Sequence, residues 1–268
     1  MSHTEPSLIP DVQSHPDARQ LAIDRVGIRD LRYPLSFVDG EGPVQRIVAR
    51  CSVFVALAAE RKGTHMSRLV AAIDEFSDPL SLVKLPALVD LVSAKVDSDH
   101  ARVELTFPWF LRKAAPVSGA PSVMDYDVKL SAEHAGASRK LEVGIVVPVM
   151  SLCPSSKAIA DYGAHNQRSH LTLTVRLRPG ALLTLRELIV LAESEGSCEL
   201  YGLLKRADEK YVTERAYDRP RFVEDLVRGL AARLMRDERL DGFSVEAENF
   251  ESIHNHSAYA RIARGMES

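Results

Sequence analysis

The sequence predicts an α+β fold: antiparallel sheet with helices on one face, built as two tandem ββααββ modules. Three observations carry that expectation. Strand-type runs come in pairs. Each first pair is followed by two segments with helical apolar spacing, and a second strand pair then closes the unit. The whole order recurs after residue 137. The repeat lies in the order of elements, not in matching residues. The expected division is a flexible or extended leader over 1–24, a first module over 25–137 and a second over 138–268. A sheet of this kind leaves open edges, and oligomerisation is one way to cover them.

The elements follow in order. A strand is expected from Val26 to Phe37. A turn at "DGEGP" leads into "QRIVARCSVFVAL", Gln45 to Leu57, rich in β-branched residues. Thr64 is the expected N-cap of a helix carrying Leu69, Val70, Ile73 and Phe76 at helical spacing. Pro86 opens a second helix with Leu88, Leu91 and Val92 on one stripe. Strands follow near Ala101–Phe107 and Met124–Leu130. In the second half, Lys140–Met150 reads as a buried strand, and Ser169–Leu177 alternates with Leu171, Leu173, Val175 and Leu177 on one face. Thr184 and Glu187 have the spacing of a capping box. Pro220 starts a helix with Phe222, Leu226, Leu230 and Leu234 on one stripe. Strands return at Phe243–Phe250 and Ser257–Ile262.

Composition narrows the function. The 268 residues are 46% apolar and 26% charged, enough for a substantial core. A formal net charge of −3 supplies no global basic field for nucleic acid or an anionic membrane. No apolar run reaches the length of a membrane span, and the polar start "MSHTEPSLIPDVQSHPDARQ" does not read as a signal peptide. The 3 cysteines, Cys51, Cys153 and Cys198, are odd in number and far apart. That pattern argues against a disulfide framework and for a reducing, cytoplasmic setting.

The segment "SLCPSSKAIADYGAHNQRSH" concentrates chemistry between two strands. Cys153 lies twelve residues before His165. A lone cysteine is ordinarily a small buried hydrophobe, and this spacing is not that of a zinc knuckle. Glu199 interrupts an apolar patch, Glu214 follows fifteen residues later, and "ENFESIHNHSAY" groups Glu251, His254 and His256. A strand there would point both histidines to one side, for acid–base work or ligation. A surface pair of histidines would read the same way.

Four segments carry a resemblance: "KGTHMSR", "SLCPSSKAIADYGAHNQRSH", "SCELYGLLKRADEKYVTERAYD" and "VEAENFESIHNHSAYA". In this order they resemble prokaryotic type IB GTP cyclohydrolases, within the GTP cyclohydrolase I family. The resemblance covers roughly Val26 to the C-terminus. It implies tandem tunnelling-fold modules that assemble into oligomers, typically tetramers, with interfacial active sites. The implied reaction opens GTP at C8, releases formate and yields 7,8-dihydroneopterin triphosphate, the first step of tetrahydrofolate biosynthesis.

Carried over by position, the resemblance makes Cys153, His165 and Glu199 ligands of one divalent ion: zinc, manganese or iron. Such a mixed set leaves a place for water, whose pKa the ion would lower for attack on C8. Cys153 thus counts as both metal ligand and catalytic residue. Glu214 is implied to move a proton or orient water. Glu251 is implied to hold the guanine N1–H and exocyclic amine, and His254 and His256 to transfer protons. For the triphosphate, Lys157, Arg168, His65, Ser67 and Arg68 are the candidates, the last three at a helix start.

One departure stands out. The family commonly reads Cys-Pro-Cys-Ser where this chain reads Cys153-Pro154-Ser155-Ser156. A hydroxyl replaces a thiol and is a poor ligand for a soft metal. Two other readings stay open: another tunnelling-fold enzyme acting on a pterin or deazapurine, and a catalytically silent purine-binding oligomer. Turnover of GTP with a divalent metal separates them.

Overall fold

The computed structural model of the chain describes residues 11–76 and 79–266. Residues 1–10 of the expected leader lie outside that range. Residues 12–14 form a single 3-10 turn. The segment then pairs with the chain beyond the second strand: Asp17 N–H donates to the Glu60 carbonyl (3.0 Å) and Lys62 N–H to that of His15 (3.1 Å).

The first half holds β1 (Ile23–Phe37), β2 (Gln45–Leu57), α1 (Met66–Glu75), α2 (Leu85–Val96), β3 (His100–Ala114) and β4 (Pro121–Ala135). This is ββααββ. The second half holds β5 (Ser138–Leu152), α3 (Pro154–Ile159), β6 (Asn166–Leu177), α4 (Leu185–Glu193), β7 (Cys198–Glu199), α5 (Arg206–Asp218), α6 (Val223–Leu234), β8 (Leu240–Asn249) and β9 (Ala258–Arg264). It follows the same plan with α3, β7 and α5 inserted. The strands form one nine-stranded antiparallel sheet in the order β1-β2-β3-β4-β5-β6-β8-β9, with β7 attached to β5.

The expected boundary at 137/138 is a tight turn, where Gly136 adopts φ 56° and its N–H donates to the Asp99 carbonyl (2.9 Å). Glycine reaches that left-handed region without steric cost. Neither sheet nor core breaks there, because β4 and β5 pair from Ala135–Ser138 to Asp127–Val146. Helices α1, α2, α4 and α6 cover one face through a single apolar core. Leu69 of α1, Leu85 of α2, Leu130 of β4, Ile145 of β5 and Leu171 and Leu173 of β6 are essentially inaccessible. Each such side chain contributes about 1.5–3 kcal/mol, more than intrinsic helix propensity supplies per residue.

The other face is polar. Arg102 donates to Glu104 and Glu133 (2.7 Å each), and Arg176 to Glu142 (2.8 Å). Its buried apolar cluster is small, around Cys198 and Met150.

A side-chain cap explains the start of α4, and the start of α1 departs from the expected one. In α4, Glu187 N–H donates to Thr184 Oγ1 (3.1 Å) and Thr184 N–H to Glu187 Oε2 (2.8 Å), the expected box. In α1 the cap is His65 rather than Thr64, and no side chain caps it; His65 Nε2 lies 3.3 Å from Asp11 Oδ2.

Helix α5 was not foreseen. Its inward residues reduce to Val212 and Ala216, packed with Cys198, Met150, Tyr201 and Leu204. It occupies the region where β4 has left β5, and β7 fills the vacated hydrogen-bonding positions at Val149 and Met150. Asp208 fastens it there. This fully buried carboxylate accepts from the N–H groups of Val117, Ser118 and Lys205 (2.8 Å each) and from the Ser118 hydroxyl (2.6 Å). Burial opposes its charge, but the bonds from Ser118, Lys205 and Val117 outweigh that and hold the carboxyl far below the usual range. Asp208→Asn turns an N–H₂ group toward these donors. Thermal denaturation at pH 7 is expected to show a Tm drop on the order of 5 °C. A depressed native pKa stabilises the fold above the unfolded value of about 4, and that stability is lost as pH falls through the native value. The gap between wild type and variant therefore narrows below about pH 4.

Candidate active site

Strand β5 delivers Cys153 to the end of the sheet. Cys153 is the N-cap of α3, whose first position is Pro154, a residue pre-set for that place. Ser156 N–H donates to Cys153 Sγ (3.4 Å), and the Ser156 hydroxyl to the Cys153 carbonyl (3.2 Å). The loop closes on itself when Cys153 N–H donates to the His165 carbonyl (3.1 Å) and His165 N–H to Ser156 Oγ (3.2 Å). Gly163, at φ 114°, makes the reversal that a side chain would resist. The β5–β6 register, with Leu152 opposite Asn166, then sets Cys153 and His165 side by side at the strand ends.

A second loop, between β8 and β9, folds over the first. Phe250 N–H donates to the Arg168 carbonyl (3.0 Å). Glu251 Oε2 lies 4.0 Å, and Ser252 Oγ 3.4 Å, from His165 Nδ1. The side chains of His165 and Glu251 are only 13% and 12% exposed, so their interaction is weakly screened. The His254 ring stands 6.5 Å from that of His165, nearly perpendicular, and stacks on His256 at 5.2 Å. The expected strand alternation does not apply, since 250–257 is a loop; stacking brings the two imidazoles together instead.

The thiols differ in availability. Burial pushes Cys51 up to about 11; burial, then the Glu199 carboxylate, pushes Cys198 up to about 11. Both stay protonated near neutrality, whereas Cys153 is partly exposed. A thiol and an imidazole on one loop form a donor pair that suits zinc or iron, so Cys153 and His165 fit a metal.

Glu199 is not beside them within one chain. It sits opposite Val149, four residues before Cys153 on β5, and Arg215 Nη2 donates to its Oε1 (2.9 Å). Among the described residues, no three His, Cys, Asp or Glu side chains converge closely enough to hold a metal.

The remaining candidates are spread from this loop to the far end of the sheet. Glu214 pairs with Lys210 one helical turn earlier on the exposed side of α5. Lys157 donates to the Tyr217 carbonyl and lies over the Tyr217 ring, 4.1 Å from its centroid. Arg168 is exposed on β6, on the opposite side from Gln167 and Ser169. Ser155 is exposed on α3. His65, Ser67 and Arg68 begin α1, next to the end of β2. Register places that end of the sheet near Ser138 of β5, so the length of β5, about 46 Å at ~3.3 Å per residue, separates them from Cys153. There His65 and Arg68 line a cavity of about 360 Å³ with Gln13, Arg61 and Asp97.

Sequence reasoning assigned no role to four buried polar residues behind the site: Ser151, Gln167, Ser169 and Asn249. The signal was present in phase. Gln167 and Ser169 occupy the positions on β6 that Leu171, Leu173 and Val175 continue, so polar groups stand where the core pattern calls for apolar ones. Arg215 and Ser252 were missed too; each is one of many polar residues in its segment.

Comparison with known proteins follows the same lines. Solved structures of similar shape include uricase from Arthrobacter globiformis (TM-score 0.52, 10% identity, covering 91% of this chain and 95% of that one). A highly active mutant of Bacillus sp. TB-90 urate oxidase gives TM-score 0.52 at 9% identity, over 90% and 99%. At such identity they show the fold alone, and it is the tunnelling fold. Among curated relatives, GTP cyclohydrolase FolE2 of Herminiimonas arsenicoxydans is 52% identical over 258 residues, 96% of this chain and 98% of that protein. Its counterpart in Burkholderia multivorans is 51% identical over 98% of each chain. The model of the type I GTP cyclohydrolase folE2 family matches residues 9–260. FolE2 is a family distinct from the GTP cyclohydrolase I (FolE) family to which the resemblance pointed, although the function is the same. The family model spans most of the chain, and relatives about half identical cover nearly all of it: the chain belongs to the type I GTP cyclohydrolase FolE2 family.

Proposed function

We propose that the chain is a metal-dependent GTP cyclohydrolase of the type IB kind. It converts GTP and water to 7,8-dihydroneopterin triphosphate and formate, opening tetrahydrofolate biosynthesis. One observation supports this most strongly: Cys153 and His165 share a loop that packs against the loop of Glu251, His254 and His256. Cys153 and His165 would hold the ion, with Glu199 as the third donor. A divalent ion there supplies Lewis acidity that acidifies water near neutral pH.

The chain's own residues do the rest. Glu251, largely buried, accepts from guanine N1–H and the exocyclic amine together, and a purine without those donors leaves it unpaired. His254 and His256, exposed and stacked beside His165, accept and return protons during opening and rearrangement. Glu214 moves a proton or orients water once a neighbouring chain brings it near. His65, Ser67, Arg68, Lys157 and Arg168 bind the triphosphate.

The assembly is a homo-oligomer, a tetramer, with sites between subunits. Two features favour this: β1 and β9 end the sheet as open edges, and Glu199 and the α1 start lie away from Cys153 in a single chain. No described helix is long and apolar enough to cross a membrane. The cytoplasm is the proposed compartment, where unpaired thiols stay reduced.

Cys153→Ala is expected to abolish formate release from GTP while leaving Tm and oligomeric state unchanged; near-normal turnover would remove Cys153 from the site. Glu251→Gln exchanges a charged acceptor for a neutral one. The KM for GTP should rise roughly 10- to 100-fold with bound metal unchanged. Sites built between subunits allow complementation. Mixing inactive Cys153→Ala and Glu199→Ala chains, then unfolding and refolding them together, should restore activity. Homogeneous samples treated alike should stay silent.

A further inference from the structure

We propose that Gln167 is a positioning residue. It holds His165 as the Nδ1–H tautomer, so that Nε2 carries the lone pair offered to the ion, and it does so through a one-way hydrogen-bond ladder rooted at Asn249. The inference rests on the reading of His165 as a metal ligand.

The ladder crosses three strands at the polar end of the core face. Gln167 (β6) lies opposite Ser151 (β5), and Ser169 (β6) opposite Asn249 (β8). Ser151 and Ser169 are 0% exposed, Asn249 3% and Gln167 7%, so water does not complete their hydrogen bonds. They satisfy one another instead.

With the Asn249 amide oxygen facing Ser169, donor counting sets the direction of the rest. The Ser169 hydroxyl donates to Asn249 Oδ1 (2.7 Å). A hydroxyl has one hydrogen, so across the 2.7 Å Ser151–Ser169 contact Ser151 donates and Ser169 accepts. Ser151, its hydrogen spent, accepts from Gln167 Nε2 (3.0 Å). The Gln167 amide is thereby turned with Oε1 toward His165 Nδ1, at 3.0 Å. A carbonyl oxygen only accepts, and the proton must sit on Nδ1. The other groups facing that nitrogen agree. The Glu251 carboxylate, 4.0 Å away, favours a hydrogen there, and the Ser252 hydroxyl at 3.4 Å can accept from it. Metal-bound histidines are commonly oriented by such a partner on the second nitrogen.

The same ladder ties the two loops together, since Asn249 ends β8 two residues before Glu251. A shift of the guanine-holding loop is transmitted to the ring of His165 through four hydrogen bonds.

The tautomer can be read directly by ¹H–¹⁵N NMR on ¹⁵N-histidine-labelled, metal-free protein at about pH 8. His165 is assigned as the resonance lost in His165→Ala. Wild type is expected to show hydrogen on Nδ1 and a free Nε2; hydrogen on Nε2 would overturn the proposal without any ladder variant. Gln167→Leu removes the acceptor. It should shift His165 toward a tautomer mixture and weaken zinc binding, measured by chelator competition, by roughly 10- to 100-fold. Gln167→Glu keeps an acceptor toward Nδ1 and should restore both the tautomer and most of the affinity. A Gln167→Leu protein with wild-type tautomer and zinc affinity within twofold would refute the role. If His165→Ala binds zinc as tightly as wild type, the ligand reading fails instead, and the tautomer measurement still decides what Gln167 does.

Discussion

Strand β5 carries the molecule. Along its first half it exchanges hydrogen bonds with β4, along its length with β6, and near its end with β7. Its odd-numbered residues Val143, Ile145, Val147 and Val149 are buried in the core, and the strand runs directly into Cys153. The two halves of the chain therefore share one sheet and one main core. Cys153 lies one residue beyond a strand that is hydrogen-bonded on both sides near its end. Building a site on the end of a buried strand restricts its geometry more tightly than a free loop would.

The two faces of the sheet divide the labour. The helix-covered face supplies cohesion. The opposite face carries paired charges such as Arg102–Glu133, Arg176–Glu142 and Arg261–Glu246. Arg102–Glu133 and Arg176–Glu142 are partly buried and Arg261–Glu246 is exposed; desolvation in the first two and screening in the third offset much of the attraction, so the ladder of charge is not what holds the fold. It keeps a broad face wet and leaves the polar ends of the strands to do the chemistry.

Much of this was legible in the residues. The bounds of β2 followed from its β-branched run, and Thr184 with Glu187 marked the start of α4. What escaped had weak local signals. Helix α5 is polar around most of its circumference and is held by Asp208 and a small apolar cluster, so periodicity had little to report. Strands β3 and β4 run well past their apolar centres, because their outer ends pair with each other through residues such as Arg112 and Lys113. At the site, Cys153, His165, Glu251, His254 and His256 stood out as chemistry-bearing residues near strand ends, and the fold gathers them. Glu199, Glu214 and the start of α1 were joined to them by resemblance alone. In the single chain they lie apart from Cys153, and no local pattern in the sequence places them with it. Gln167 was overlooked because a buried amide and a solvated one are the same letter.

The seat of β7 exists only because β4 parts from β5 before the sheet ends. That seat is assembled from segments fifty residues apart along the chain, Val149 and Glu199, and it holds just two residues. So small a gain cannot offset closing so long a loop until the surrounding meander is already in place. Glu199 is thus expected to settle only after the sheet around it has formed.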